Sequence, residues 1–528
     1  MPVARRFVFA LLLIYGLVDA QAAWARQPLP EPNILRLTDQ QRAQVQARGL
    51  REAALDPAFV QQHHRNYTFQ IPFERVRPAV TDEGRGDRSW ACAALTVFSS
   101  KAMVRRNQAP EPLSVAFLTY QLLHRRASGI LSDAMAVDGR INLGFVSRNL
   151  EVGGGTFGDA SRLIKAAGIV PARAMPLTVD GRTNATDGHL GILHDRIGRV
   201  LVRAVLELEA INERMPGADD ATKAARTAEK KRVSVQALRA VDGVLDTVLG
   251  RPPARFAVGG QLHTPQSYAR EVLGLADDDF EYVSLSCDTT RRAGRPYRLG
   301  KQPIYNVTME TLEELMKATL HTGQAVYLMA NLDGGSPARV ADGEGTPRAA
   351  RGILSPGAFR YDRIVPVPPF AAEDERRAGV LPARRAVAIT GYDLEPGGPR
   401  VRKWKAVAGL GPAVGDEGVF HLYRDFLARY GGRVAVPRAV VPDRLLAEWN
   451  AAAAPNPGPA RPAEAWSAEE RSQLVLRLLD GTVTVRTAAE VTGLEVGVID
   501  GWLAAGRAAV RAALERLPGV PPAQGVRR

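Results

Sequence analysis

Ser89 stands at the junction between a polar, glycine-rich approach and a helix of small apolar residues. The approach is Asp82-Glu83-Gly84-Arg85-Gly86-Asp87, and the helix begins as Arg88-Ser89-Trp90-Ala91-Cys92-Ala93-Ala94-Leu95. The amino end of a helix carries partial positive charge, which lowers the pKa of a thiol placed there and favours an anion. The residue presented here is a hydroxyl, and Cys92 lies one helical turn further in. The stretch therefore indicates either a working nucleophile or the site of a lost one.

No other part of the chain has the spacing of a metal-binding or redox site. The chain holds 2 cysteines and 8 histidines, without a Cys-x-x-Cys or a His-Glu-x-x-His pattern. His63 and His64 are adjacent, and neighbouring side chains on a helix do not face one metal ion. We expect no metal, no cofactor and no bridge between Cys92 and Cys287.

The hydrophobic pattern predicts a helix-rich first half and a strand-rich second half. Helices are predicted over Thr38–Leu50, from Ser89 onward, and over Pro112–Arg126, Phe157–Ala167, Asp195–Met215 and Asp220–Leu249. Strands are predicted at Tyr67–Ile71, Tyr282–Leu285, Ala325–Met329, Arg385–Thr390, Lys403–Val407 and Gly418–His421, with a helix over Thr311–Leu320. This order predicts an α+β chain whose two halves face each other across a cleft.

The first residues predict export. Arg5 and Arg6 precede an apolar run, Phe7–Val18, which is too short to span a bilayer, and small-x-small cleavage sites follow it. We expect residues 1–25 to be a signal peptide and the protein to be periplasmic or secreted, with no later transmembrane span. An uncleaved amino-terminal membrane anchor is the alternative.

The rest of the chain divides by composition. Residues 26–66 form an amino-terminal lead, 67–445 the main domain, and 446–464 a linker that contains the run AAAAPNPGPARPA. Residues 465–516 form a tri-helical unit of helix-turn-helix type, and 517–528 a disordered tail. The net charge of +13 permits binding to a polyanion, although the arginines are scattered as on an ordinary surface.

Several motifs of the main domain resemble those of the papain-like cysteine peptidases, in the aminopeptidase C / bleomycin hydrolase branch. They run in order from about Tyr67 to Val441 and are Arg88-Ser89-Trp90, Gly154-Gly155-Thr156-Phe157, Leu249-Gly250-Arg251-Pro252-Pro253, Thr264-Pro265-Gln266-Ser267-Tyr268, Gly323-Gln324-Ala325-Val326-Tyr327, Ala386-Val387-Ala388-Ile389 and Lys403-Trp404-Lys405-Ala406-Val407. The resemblance implies a papain-like two-lobed fold, with a helical first lobe and a strand-rich, barrel-like second lobe.

The resemblance also implies four catalytic positions, and this chain departs from the family at each of them. Ser89 occupies the nucleophile position, Arg385 the histidine position, Ala408 the asparagine position and Glu83 the position of the oxyanion-hole glutamine. A serine needs a general base, and a guanidinium stays protonated. An alanine orients no imidazole, and a carboxylate repels an oxyanion. The family chemistry is therefore expected to be absent, which makes the chain a pseudoenzyme.

Opposite charges at two formerly adjacent positions suggest what the site does instead. We expect Glu83 and Arg385 to pair across the cleft, or Arg385 to hold a ligand carboxylate. The predicted role is binding of a peptide or protein partner in a cleft whose expected residues are Glu83, Arg88, Ser89, Trp90, Gly154, Gly155 and Arg385.

Two other functions stay open from the residues. An active hydrolase would use Ser89 or Cys92 in an unfamiliar arrangement, although Cys92 is expected to point into the core. His321 and His421 fall outside the family's catalytic positions, and we expect ordinary surface or edge locations for them. A nucleic-acid-binding protein would use the basic surface or the carboxyl-terminal unit.

The carboxyl-terminal unit resembles helix-turn-helix units of transposase type through Gly481, Ala488-Ala489, Gly493-Leu494 and Trp502. Its third helix offers few base-reading side chains, so packing or partner binding is expected there. Members of the resembled branch form ring-like hexamers that bind nucleic acid. A homo-oligomer is therefore possible, but the extended tail departs from the family's short one.

Overall fold

The computed structural model describes most of the chain between residues 38 and 514. The described residues are 38–65, 69, 88–136, 146, 150, 154–179, 182–183, 187–291, 293–294, 296–299, 302–332, 351–361, 364, 374, 385–412, 414–453, 462–479, 488, 492 and 494–514. Glu83, the strand predicted at Tyr67–Ile71 except Phe69, the signal peptide and the 517–528 tail lie outside them. The described chain forms two compact units, Met1–Leu446 and Ala447–Arg528.

The first half of unit one is helical, as its sequence pattern predicts. Its helices are α1 (Asp39–Ala54), α2 (Pro57–Arg65), α3 (Ser89–Arg106), α4 (Val115–Ala136), α5 (Phe157–Ala167), α6 (Asp187–Glu213) and α7 (Asp220–Leu249). Gly49 interrupts the helical geometry of α1 with φ 77°. The second half adds α8 (Met309–His321), α9 (Arg424–Tyr430) and α10 (Asp443–Ala453), the last of which crosses into unit two. None of the helices that the structure describes has the length and apolar content that a bilayer crossing requires.

A nine-stranded mixed sheet forms the centre of unit one, in the order β6-β7-β5-β13-β8-β10-β11-β12-β9. Its strands are β5 (Tyr282–Ser286), β6 (Pro296–Leu299), β7 (Gln302–Asn306), β8 (Val326–Ala330), β9 (Ile353–Leu354), β10 (Arg385–Leu394), β11 (Val401–Val407), β12 (Val419–Tyr423) and β13 (Gly431–Pro437). Two small hairpins lie outside it, β1–β2 (Thr178–Val179 and Arg182–Thr183) and β3–β4 (Phe256–Val258 and Gln261–His263).

β13 occupies an inner position in this sheet, although the sequence pattern does not predict it. Its alternation at Val434 and Val436 is short and lies between Gly431-Gly432 and Pro437. It pairs antiparallel with β5 on one side and β8 on the other. Its position therefore depends on long-range pairing.

The main core lies between the helices and one face of the sheet. Ala91 and Ala94 of α3, both fully buried, share an apolar cluster with Ala386 and Ala388 of β10. Small side chains on both surfaces let the helix approach the strand closely. This packing brings the amino end of α3 to the start of β10, although the two are far apart in the sequence.

Unit two is helical within its described residues. α11 (Ala468–Leu479) and α12 (Val496–Leu514) pack around a small apolar cluster that includes Ile499 and Ala488. Ser467 caps α11 by accepting a hydrogen bond from the Glu470 amide at 3.2 Å. The predicted middle helix over Val485–Val491 lies outside the described residues except for Ala488.

Candidate functional site

Ser89 is the first residue of α3 and is 5% exposed. Its Oγ accepts a hydrogen bond from the backbone N–H of Ala386 at 3.1 Å. Within the described chain, the hydrogen-bond partner of the Ser89 hydroxyl is the strand backbone and not the Arg385 guanidinium. The long-range packing thus brings Ser89 and the start of β10 into direct contact.

The amino end of α3 carries no acidic residue in its first turn and no side-chain cap. Arg88 is the cap residue, and its carbonyl accepts hydrogen bonds from the amides of Ala91 and Cys92 at 2.8 and 3.1 Å. Arg88 and Arg385 are 1% and 5% exposed, respectively. Ser89 therefore lies at a helix amino end whose partial positive charge favours an anion, directly after the buried Arg88 and in contact with the backbone at the start of β10.

Ala408 lies at the same end of the sheet as Arg385. Val407, the last residue of β11, pairs with Ala388 of β10, three residues from Arg385. Ala408 is 2% exposed and begins a loop in which Gly409 and Gly411 have positive φ angles of 64° and 77°. The strand register therefore brings Arg385 and Ala408 to the same end of the sheet.

Gly154 and Gly155 precede α5, and Gly155 packs against the ring of Trp90. A Cβ atom on Gly155 would stand 2.0 Å from Cδ2 of the Trp90 ring, whereas one on Gly154 would meet nothing within 4 Å. Arg126 of α4 donates from Nη2 to the Gly154 carbonyl at 2.7 Å. Thr156 then caps α5, because its Oγ1 accepts from the Asp159 amide at 3.2 Å. Glycine at 155 is required for the indole of Trp90 to occupy its buried position.

Cys92 and His321 do not contribute to a site at Ser89, because each makes its contacts in another part of unit one. Cys92 is 5% exposed within the main apolar cluster. His321 lies at the end of α8, where its Nε2 is 2.8 Å from the Tyr392 hydroxyl. The expected pairing of Glu83 with Arg385 involves a residue outside the described ones.

His421 is buried in a polar cluster, and the expectation of a surface or edge location for it is wrong. It is 0% exposed, and its Nδ1 lies 3.2 Å from Nζ of Lys403, which is also 0% exposed. Asp416 approaches the other ring nitrogen at 3.5 Å. The only sequence signal for this buried pair was that Lys403 and His421 each stand in a strand with apolar neighbours. Which sheet face they occupy, and what covers it, depends on the tertiary fold.

Within the described ranges, no group of three or more His, Cys, Asp or Glu side chains is arranged to hold a metal ion. The contact shown at Ser89 is the one between its Oγ and the Ala386 amide at 3.1 Å. A guanidinium such as that of the preceding Arg88 donates hydrogen bonds and accepts no proton near neutral pH.

Comparison with known proteins identifies relatives among aminopeptidases. Aminopeptidase W of Lactobacillus delbrueckii subsp. lactis is 24% identical over 430 residues, which cover 75% of this chain and 89% of that protein. Aminopeptidase E of Lactobacillus helveticus is 26% identical over 394 residues, which cover 69% of this chain and 82% of that protein. No protein-family model matches the chain.

A solved structure shows the same fold. The crystal structure of PepW from Lactobacillus rhamnosis HN001 matches with a TM-score of 0.63 and 19% sequence identity, covering 82% of this chain and 94% of that one. The chain therefore has the papain-like α+β fold that its sequence predicts. Its relatives are aminopeptidases of the papain-like cysteine peptidase family.

Proposed function

We propose that this relative of the papain-like aminopeptidases has lost peptidase chemistry and binds a peptide or protein ligand in the cleft beside Ser89. The supporting observation is the hydrogen bond from the Ala386 amide to Ser89 Oγ at 3.1 Å. It places the hydroxyl at the strand that starts with Arg385, where the family has its catalytic histidine. Serine reacts as a nucleophile only when a base takes its proton, and a guanidinium cannot act as one.

The amino end of α3, with Arg88 as its cap residue, favours the carboxylate of a peptide as the group that is held beside Ser89. Arg88 and Arg385 are both nearly fully buried, and the amino end of α3 lacks an acidic residue. Guanidinium groups bind carboxylates through paired, charge-assisted hydrogen bonds. An added Cβ at Gly154 would meet nothing within 4 Å, and a peptide backbone can occupy that open space.

A gain-of-function experiment tests the loss of chemistry. The quadruple variant Glu83→Gln, Ser89→Cys, Arg385→His and Ala408→Asn restores the four family side chains on this backbone. We expect cleavage of aminoacyl fluorogenic substrates by this variant and none by the natural chain. The matched control keeps the other three changes and leaves Arg385 in place, and it should stay inactive because the thiol has no base. Turnover by the natural chain that Ser89→Ala abolishes would overturn the assignment.

A separate experiment tests binding. A mixture of tryptic peptides is passed over the immobilised protein, and retained peptides are identified by mass spectrometry. Gly154→Trp adds bulk at a position where an added Cβ meets nothing within 4 Å, and it should abolish retention. Gly243→Trp, at an exposed glycine of α7 with nothing within 4 Å, is the control and should preserve it. Absence of retention by the natural chain, or equal retention by both variants, contradicts ligand binding in the cleft.

The proposed place of action is outside the cytoplasm. Its support is the sequence pattern of residues 1–25, with Arg5 and Arg6 before the apolar run Phe7–Val18. Expression with cell fractionation and amino-terminal sequencing tests it. A mature protein that begins near Arg26 in the periplasm or medium is expected, and a full-length cytoplasmic chain would contradict export.

A further inference from the structure

The first two helices of the described chain, α1 and α2, pack against β9 and β12 through an apolar cluster that includes Ala54, Ile353 and Tyr423. We call residues 39–65 the strap. Between its helices, the Asp56 amide donates to the Ala358 carbonyl at 2.8 Å, and the Arg360 amide donates to the Ala54 carbonyl at 2.6 Å. These backbone bonds fasten the middle of the strap without using a titratable side chain.

The carboxyl-terminal end of the strap is fastened by a histidine. His63 of α2 is 1% exposed, and its Nδ1 lies 2.5 Å from the Tyr423 hydroxyl. Its ring stands edge-on to the ring of His421, with centroids 4.7 Å apart and an interplanar angle of 88°. Phe69 stacks on His421 with centroids 4.6 Å apart. His63 and Phe69 therefore cover His421.

The partners of His421 determine its protonation state. Lys403 has only donors, so the Nδ1 atom of His421, 3.2 Å from Lys403 Nζ, must be the acceptor. The single ring proton is thus assigned to Nε2, which faces Asp416 Oδ2 at 3.5 Å. A second ring proton would point an N–H at an ammonium group in a site with no exposure to water. The contacts are compatible with the neutral ring alone.

Among the described residues, the other charged groups named for this site do not offset the repulsion between the imidazolium and the ammonium. Lys405, across the strand pair from His421, adds a further positive charge. β9 presents Ile353 opposite His421, and α9 has its Arg424 and Asp425 bonded to Glu313 and Ser355. Burial is the main cause that lowers the pKa of His421 to about 4.

The charge of Lys403 also disfavours the protonated form of His421. Its Nζ lies 4.5 Å from the centroid of the Phe69 ring, and Asp393 and Arg402, 3.7 Å apart, pair behind it. Burial lowers the pKa of Lys403 to about 8, with Asp393 and Asp416 partly offsetting it. Below that pH the lysine is charged, so a cation already stands beside His421 when acid begins to protonate the ring.

We propose that His421 is an acid-sensitive lock for the strap, and that uptake of a second ring proton releases α2 from the sheet. The imidazolium and the Lys403 ammonium repel each other, and hydration of the pair requires the covering residues to move. The residue of α2 that covers His421 is His63, so water reaches His421 only when α2 moves away. The backbone bonds at Ala54 and Asp56 carry no titratable group, so α1 and the middle of the strap stay attached.

The direction of the pH effect follows from linkage. Because the folded state favours the neutral ring, its contribution to stability is complete above the unfolded pKa of 6.5 and is lost as the pH falls toward about 4. At about pH 5 the difference between these two pKa values corresponds to an approximately thirty-fold loss in the protection of α2.

Hydrogen exchange of the full chain at about pH 7 and about pH 5, expressed as protection factors, tests the lock. We expect the peptide covering Pro57–Arg65 to lose protection at the lower pH while α4 keeps it. His421→Gln, whose amide can accept from Lys403 and donate to Asp416 without titrating, should keep α2 protected. Lys403→Met should lose less protection than the natural chain, because a protonated His421 then faces Asp416 without the Lys403 ammonium, while burial still disfavours the charged ring.

Three results would overturn the lock. They are unchanged protection of α2 in the natural chain, the same loss in His421→Gln or Lys403→Met as in the natural chain, and simultaneous loss in α2 and α4. The last would mean that acid unfolds the whole lobe. Two variants at different positions keep the test decisive if one of them does not fold.

Discussion

Replacement of Gly155 by alanine should displace Trp90 and destabilise unit one. The added Cβ would lie 2.0, 2.3 and 2.4 Å from three atoms of the indole ring, against an ordinary contact distance of 3.4 to 4 Å. Trp90 is 2% exposed, so the ring cannot move away without disturbing the core. Overpacking of this kind costs about 1–3 kcal/mol. Because Trp90 follows Ser89, the same displacement should weaken ligand binding in the cleft.

The matched control is Gly154→Ala, one residue earlier, where an added Cβ meets nothing within 4 Å. Urea denaturation followed by circular dichroism gives the free energy of unfolding of each variant. We expect Gly155→Ala to lose at least about 1 kcal/mol more than Gly154→Ala. Equal stabilities within about 0.5 kcal/mol would refute the close packing of Gly155 against Trp90.

A double-mutant cycle isolates the contact. Trp90→Ala removes the ring and by itself should cost about 3–5 kcal/mol, since it leaves a cavity in the core. In that background Gly155→Ala has nothing to clash with and should be nearly neutral. A coupling energy of at least about 1 kcal/mol is therefore expected, and additive effects would contradict the steric explanation.

Three further predictions concern stability and use the same unfolding measurement. Ser89→Ala should cost about 1–3 kcal/mol, because the buried Ala386 amide loses its acceptor, and a loss below about 0.5 kcal/mol would contradict that bond. Gly243→Ala, at an exposed position inside α7 with no neighbour within 4 Å, should stabilise by about 0.5–1 kcal/mol, and no gain would show that α7 is not a regular helix there. Burial lowers the pKa of Lys101 from 10.5 to about 8, so the unfolded state holds this proton more tightly than the folded state does. The free energy of unfolding should therefore rise from about pH 8 to about pH 10. Lys101→Met should flatten that rise, and an equal slope in both chains would refute the prediction.

The local elements could be predicted from the sequence because their signals are periodic. The pattern predicts the helices over Phe157–Ala167 and Asp220–Leu249 with the same bounds as α5 and α7. It also predicts the strands that begin near Arg385 and Lys403, because these segments are rich in valine and other apolar or aromatic residues. The pattern does not predict β13, because this seven-residue strand begins with Gly431-Gly432 and ends with Pro437, and the residues between them are too few to show a clear period.

The sequence by itself determined the fold, through the order of its motifs, and the types of residue at the catalytic positions. Only the tertiary structure decided which groups meet: Ser89 with the amide of Ala386, and Trp90 with Gly155. It also buried His421 beside Lys403, with His63 of the strap against His421 and Phe69 against both. The physical reason is that side-chain period is a local property, whereas burial and partnership depend on strand register and on helix packing between distant segments of the chain.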